Sequence, residues 1–232
     1  TPEEAKSSPL KWFPYSKGGG YRKWFGWNEY VVDWENNGYR IKNAERNGRR
    51  IASVRNERFY FRQGITWSAV TSAKFSARFV QKGFLFDSGG SSVFPTGNYL
   101  YYLLGLLSTK IAEHVIKIFN PTLNFQPNDI ARIPIIVNDV ENIVRIVKQN
   151  IALSRADWDD FDTSWDFKVH PLVRHKAARI KDAFATWEKV AAERFNRLKA
   201  NEEELNRIFI DIYGLQDELT PEVAEEDVTV RK

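Results

Sequence analysis

Residues 98–121 read NYLYYLLGLLSTKIAEHVIKIFNP, and the change of pattern that they mark decides the architecture. Leucine, isoleucine and tyrosine recur at helical spacing from Asn98 to Phe119, and Asn120-Pro121 supplies the stop expected just past a helix end. One long helix is predicted there. Upstream of Pro95 the signals are those of strands and turns. Residues 29–34 and 58–61 are short, aromatic and β-branched, while Asn36-Asn37-Gly38 and Arg46-Asn47-Gly48 are hairpin-type turn signals. Residues 72–78 alternate imperfectly, residues 83–87 read as a buried strand, and residues 88–92 read as the flexible loop that breaks it.

Downstream the helical period persists. A short helix is predicted after Asn138, where Val140, Ile143, Val144 and Val147 recur at steps of three and four. Pro171 suits a first helical turn, and Val173, Ala177, Ile180, Phe184, Trp187 and Ala191 then form a coiled-coil-like seam. The seam loses phase at Arg194, where Phe195 takes over, and resumes through Leu198, Leu205, Phe209 and Ile212 until Gly214. A long helix with a break near Asn201 is expected. The acidic segment after Thr220, with Pro221 near its start, is expected to be mobile. The predicted fold class is α/β in the broad sense (α+β): a mixed, β-rich domain over residues 10–136, then a mainly helical spacer or docking region over 137–215. A flexible segment (1–9) and an acidic tail (216–232) flank them.

Composition narrows the functions. With 232 residues and 43% hydrophobic content the chain can bury a core of its own. It contains no cysteine, which removes disulfide scaffolds, thiolate zinc sites and cysteine nucleophiles together. No apolar stretch is long enough to span a bilayer and residues 1–9 do not resemble a signal peptide, so no membrane partner and a cytoplasmic location are expected. The chain opens at Thr1 and has no methionine, from which we expect a piece of a longer protein.

The net charge is only +4, yet residues 11–82 carry fifteen Lys and Arg against five Asp and Glu, and residues 201–232 carry three against ten. A polyanionic partner would therefore meet the first third. There, residues 11–24 interleave cations (Lys17, Arg22, Lys23), aromatics and Gly18-Gly19-Gly20, which is the mixture that contact with phosphates and splayed bases uses. The glycines do not fit a P-loop. For Trp12, Phe13 and Trp24 the preferred reading is that they pin a loop on the core. A second basic group, Arg46, Arg49, Arg50, Arg55, Arg58 and Arg62, is all arginine, whose guanidinium forks suit phosphate or a guanine edge; about half are expected to face DNA. Residues 71–78, with Lys74, Ser76 and Arg78, and the loop bearing Ser91 and Ser92 add hydroxyl and cationic donors, although such loops are also ordinary turn chemistry.

The remaining candidates are weaker. His114, His170 and His175 lack zinc-helix spacing. Asp157, Asp159, Asp160, Asp162 and Asp166 are interleaved with Trp158, Phe161, Trp165 and Phe167, and read as a loop packed down by aromatics rather than a metal site.

Several stretches in order resemble the C-terminal region of PglX-like adenine-specific DNA methyltransferases of BREX systems. They are residues 11–15 and 18–24, Gly64-Ile65-Thr66-Trp67-Ser68, residues 83–95, Asn120-Pro121-Thr122-Leu123-Asn124-Phe125-Gln126, Thr163-Ser164-Trp165-Asp166-Phe167, and residues 212–221. Residues 98–119 followed by Asn124-Phe125 and residues 129–134 also resemble target-recognition domains of restriction-modification specificity subunits, which read DNA while long helices hold them at a set position. The resemblance implies double-stranded DNA as partner, adenine N6 methylation in phage defence, S-adenosylmethionine as cofactor of the parent, and docking to its own catalytic domain and to other defence subunits. This segment has neither a glycine-rich cofactor loop nor an Asn/Asp-Pro-Pro-Tyr/Phe element. No catalytic residue and no cofactor or metal are therefore assigned to it. The alternatives are a protein-interaction module with an incidental basic face, or a specificity domain of another restriction-modification system.

Overall fold

The computed structural model describes residues 1–71 and 74–232. It opens with helix α1 (Pro2–Ser7), closed by a capping box between Thr1 and Glu4, and Ala5 is buried. The first residues are thus folded onto the body rather than free. Strand β1 (Trp12–Ser16) pairs antiparallel with β2 (Tyr30–Asp33), bringing Phe13 opposite Val32. Helix α2 (Glu35–Lys42) contains Asn36, Asn37 and Gly38 in left-handed conformation, so this signal makes a tight entry to a helix under the Trp34 ring, not a hairpin. The second turn signal is a hairpin: β3 (Glu45–Arg46) and β4 (Arg49–Arg50) pair through Asn47 and Gly48, both with positive φ (52° and 69°), the geometry of a type I′ turn.

The strand expected at residues 58–61 is instead a 3-10 turn over Glu57–Phe59. Tyr60 and Phe61 follow it inward to a small core with Ala5, Phe13, Trp34 and Leu85. Their aromatic character reports burial, not strand alternation. A second sheet places β5 (Gly64–Ser68) between antiparallel β6 (Ala77–Val80) and, further along the chain, β8 (Gly90–Val93). Residues 72 and 73, the start of the alternating stretch 72–78, lie outside the described residues. Strand β7 (Leu85–Phe86) joins β1 in parallel, completing the order β2-β1-β7.

All five residues of β5 are buried because both faces are covered. Ile65 and Trp67 enter the large core, while Thr66 meets the Ser16 hydroxyl at 3.3 Å and the Ser68 hydroxyl donates to the Gly19 carbonyl at 2.7 Å. The polar face of the sheet is therefore paired off inside the protein.

The helix predicted over residues 98–119 is two helices, α3 (Asn98–Leu107) and α4 (Lys110–Phe119). The Ser108 and Thr109 amides fold back onto Gly105 and Leu106, and the Lys110 amide donates to Asn206 Oδ1 at 3.0 Å. A side chain from a distant helix thus caps the new start, as an orphan amide there requires. A short helix, α5 (Pro127–Ile130), precedes α6 (Val140–Trp158) and α7 (Pro171–Arg174). Helix α8 (Ile180–Tyr213) is 34 residues long and runs unbroken past Asn201, whose amide donates to Asn150 of α6 at 2.8 Å; Gly214 ends it in the left-handed conformation.

Helices α3, α6 and α8 enclose the main core, with Leu100, Tyr102, Leu104, Ile143, Val147, Leu205 and Phe209 packed beneath Trp24, Ile65 and Trp67. Residues on both sides of position 136 contribute to this core. At the other end of α8 the expected seam is not seated: Val173 is 62% exposed, Ile180 78% and Phe184 48%, and the buried stripe starts at Ala183 and continues through Ala191 and Phe195. The tail expected to be mobile is packed as well. Val223, Val228 and Val230 are buried in the main core, and a 3-10 turn spans Glu225–Asp227. Among the described residues, no helix is long and apolar enough to cross a membrane.

Candidate nucleic-acid interface

Three of the sequence-predicted cations lie inside the protein. Arg22 donates from Nε to the Phe25 carbonyl at 2.6 Å, from Nη1 to the Thr229 carbonyl at 3.0 Å, and from Nη2 to Asp157 at 3.0 Å. Burial pulls its pKa down, and the Asp157 carboxylate opposes that pull. Lys23 forms a buried ion pair with Glu202 of α8, and the other oxygen of Glu202 accepts from the Trp24 indole at 2.6 Å. Burial pushes the Glu202 carboxyl up, with Lys23 resisting. Arg78, 1% exposed, donates to the Arg22 carbonyl at 3.4 Å and to Ser68 at 3.3 Å; burial and the nearby Arg22 charge bring its pKa down to about 10.

The serines are also committed internally. Ser76 is buried and accepts from the Arg22 amide. Ser91 is buried and donates to the Ser88 carbonyl, and Ser92 donates to the Gly90 carbonyl. Asp87 shapes that loop, accepting from the Gly89 and Gly90 amides and from the Tyr15 hydroxyl at 2.7 Å. Residues 88 and 89 make a side-chain-templated turn, and residues 90–92, expected in a flexible loop, are instead part of β8. Lys74 is exposed but bound to Asp227 of the tail at 2.7 Å. As DNA contacts, Arg22, Lys23, Ser76, Arg78 and Ser91 are therefore set aside: a phosphate could reach them only by breaking the core.

What remains exposed forms a distinct group. Arg46, Arg49 and Arg50 stand on the β3–β4 hairpin, and among the described residues none of them makes an ion pair or a hydrogen bond through its side chain. Arg55 reaches only Ser53. Arg58 and Arg62 both approach the Phe59 ring, at 4.8 and 5.6 Å from its centroid, and Phe59 stacks on Phe94. The Lys42–Glu57 ion pair at 2.6 Å ties the foot of the hairpin to the turn that carries Arg58. Residues 40–62 thus hold eight cationic residues against two acidic ones, and the two lysine and arginine positions nearest the body, Lys42 and Arg40, are the ones that are paired. Lys17 is also exposed, 5.6 Å over the Tyr30 ring. Trp12, expected in the core, is 57% exposed on the edge of β1 with Lys11 over its ring, whereas Phe13 and Trp24 are buried as expected.

The glycine cluster does not form a cofactor cradle. A Cβ on Gly19 would meet the Trp27 ring at 2.3 Å, and one on Gly18 the Gly89 carbonyl at 2.7 Å, so protein atoms already fill the space. Asn120, which precedes Pro121, spends its amide on Asn124 and Asp129. These residues do not fit S-adenosylmethionine. In the aspartate cluster, Asp157 and Asp160 are held by Arg22, Arg174 and Arg194. Those arginines, from loop, α7 and α8, were the missed structural residues; nothing local in the sequence pairs them with their carboxylates.

No family model matches the chain. It is 43% identical over 229 residues to the adenine-specific methyltransferase PglX of Lacticaseibacillus casei (strain Zhang), covering 95% of this chain and 19% of that protein. It is 36% identical over 213 residues to the adenine-specific methyltransferase BrxX of Escherichia coli O9:H4 (strain HS), covering 90% of this chain and 17% of that protein. The chain therefore spans less than a fifth of the length of the curated relatives it matches. The PglX-like resemblance read from the motifs is borne out as homology to one segment of these proteins.

Proposed function

We propose that this chain is the DNA-target-recognition and helical part of an adenine-specific DNA methyltransferase acting in phage defence. On this reading the methyl transfer from S-adenosylmethionine to adenine N6 takes place in a catalytic domain elsewhere in the longer protein, and this segment holds the duplex beside it. The observation that carries the local role is the exposed arginine group, Arg46, Arg49, Arg50, Arg55 and Arg62, which among the described residues has no carboxylate partner, whereas the buried Arg22 and Lys23 are paired with Asp157 and Glu202. Homology to two adenine-specific methyltransferases supports the parent activity.

A titration of this chain into a fluorescently labelled duplex pool, followed by anisotropy, tests the proposal. Saturable binding at low salt is expected, weakened at least about fivefold in Arg49→Ala/Arg50→Ala, since two cations facing the polyanion are removed. A folded chain that binds no duplex would sink it. A second reading, docking of partner subunits, is favoured by the exposed apolar start of α8 with Ile180 and Phe184.

A further inference from the structure

Among the described residues no third strand pairs with the β3–β4 hairpin, all four of its strand residues are exposed, and a Cβ placed on Gly48 at its tip would meet nothing within 4 Å. It projects into open space. Its register puts Arg46 directly opposite Arg49, and Glu45 opposite Arg50. Opposed residues share a face of a two-stranded ribbon and successive residues alternate, so one face carries two arginines and the other a glutamate and an arginine. Like charges in directly opposed positions destabilise a strand pair, and no carboxylate of the described residues relieves Arg46 or Arg49. The arrangement is costly to the isolated protein and favourable only beside something that accepts two parallel guanidinium forks.

Resting on the DNA-recognition reading above, we infer that this hairpin is the base-reading element: a ribbon lying in the major groove with Arg46 and Arg49 donating to guanine O6 and N7. Dimensions favour that groove. Two strands are spaced about 4.8 Å apart before side chains are added, so a ribbon fits a groove about 12 Å wide and not one about 6 Å wide. The type I′ turn keeps the tip to two residues, Asn47 and Gly48, and the Ile51 amide closes the base by donating to the Ala44 carbonyl at 3.0 Å. The Lys42–Glu57 ion pair and the Lys42 ammonium 5.1 Å over Trp34 root the ribbon on the small core. A reading head needs that combination of reach and fixed orientation. Arg50, on the other face, is assigned to phosphate.

Enrichment of a random-sequence duplex library on this chain, with sequencing of the bound fraction, tests the assignment. The wild-type chain should enrich a motif containing guanine. Arg46→Lys/Arg49→Lys keeps the charge but loses the bidentate fork; it should bind the unselected pool within about twofold of wild type while losing preference at those guanines. Arg50→Ala should weaken all sequences evenly and leave the motif intact. Replacing the motif's guanines with 7-deazaguanine should weaken wild-type binding roughly tenfold or more and leave the double-lysine variant unaffected. All three proteins are first shown to be folded by circular dichroism. An identical motif in wild type and the double-lysine variant, or binding of the pool with no motif enriched, would overturn the assignment while leaving DNA binding in place. No binding of any duplex at low salt would instead overturn the recognition reading itself, and the inference with it.

Discussion

Lys23 and Glu202 stand 179 residues apart in the sequence and face each other in the core, with the Trp24 indole holding the carboxylate from a second direction. Removing one partner of such a pair leaves the other charge buried and unmatched, at a cost of about 3–5 kcal/mol. Glu202→Ala is therefore expected to lower the denaturant midpoint sharply, while Lys23→Met/Glu202→Leu, which removes both charges, recovers most of the loss; equal loss in the two variants would contradict the pairing. In the sequence, Lys23 sits among glycines and aromatics and looks like a phosphate contact. Its true partner is carried by a helix at the far end of the chain, and composition holds no record of that distance. The exposed arginines were legible for the opposite reason: Arg46, Arg49 and Arg50 flank a turn signal whose geometry is local, so their exposure follows from a few neighbouring residues.

At the scale of elements, local signals that agreed with packing were readable and those that packing overrode were not. The Asn47-Gly48 hairpin, β2, β7 and the end of α8 at Gly214 all follow from short-range chemistry. The break between α3 and α4 does not, because it is made by Asn206 reaching over from α8 to cap Lys110. Nor does the continuity of α8 through Asn201, whose polar side chain is satisfied sideways by α6. The α3–α6 contact passes over Gly105 of α3, where a Cβ would come within 2.9 Å of Val147 and 3.2 Å of Ile143. Gly105→Val should therefore overpack the α3–α6 seam and cost about 1–3 kcal/mol of stability, with duplex affinity unchanged in the folded fraction. A variant as stable as wild type would show that the seam can open without cost.

The whole molecule is one large core with a small aromatic one beside it, and the charge asymmetry of the sequence is partly consumed in joining its ends. The acidic C-terminal segment returns to the N-terminal cations: Asp227 binds Lys74, the Thr229 carbonyl takes Arg22, and the Thr229 hydroxyl takes the Lys23 amide. Its low hydrophobicity suggested mobility, yet Val223, Val228 and Val230 are enough to seat it. Deleting residues 222–232 removes three buried valines, worth about 1.5 kcal/mol or more each, and uncovers Arg22. A clearly lowered melting temperature is expected, and a truncated chain that melts with wild type would contradict the packed tail. With those cations spent inside, the positive surface left for a polyanion is narrower than the sequence count suggests and centres on residues 46–62.

That surface is tested most directly by the salt dependence of duplex binding. The logarithm of the association constant should fall linearly with the logarithm of salt concentration, with a slope steeper than about −2 if three or more phosphates are neutralised at about 0.9 each. Arg46→Ala/Arg49→Ala/Arg50→Ala should flatten the slope, and the buried Lys23 should contribute nothing to it. A slope near zero in the wild-type chain, or one that the triple substitution leaves unchanged, would contradict the assignment of this face to DNA.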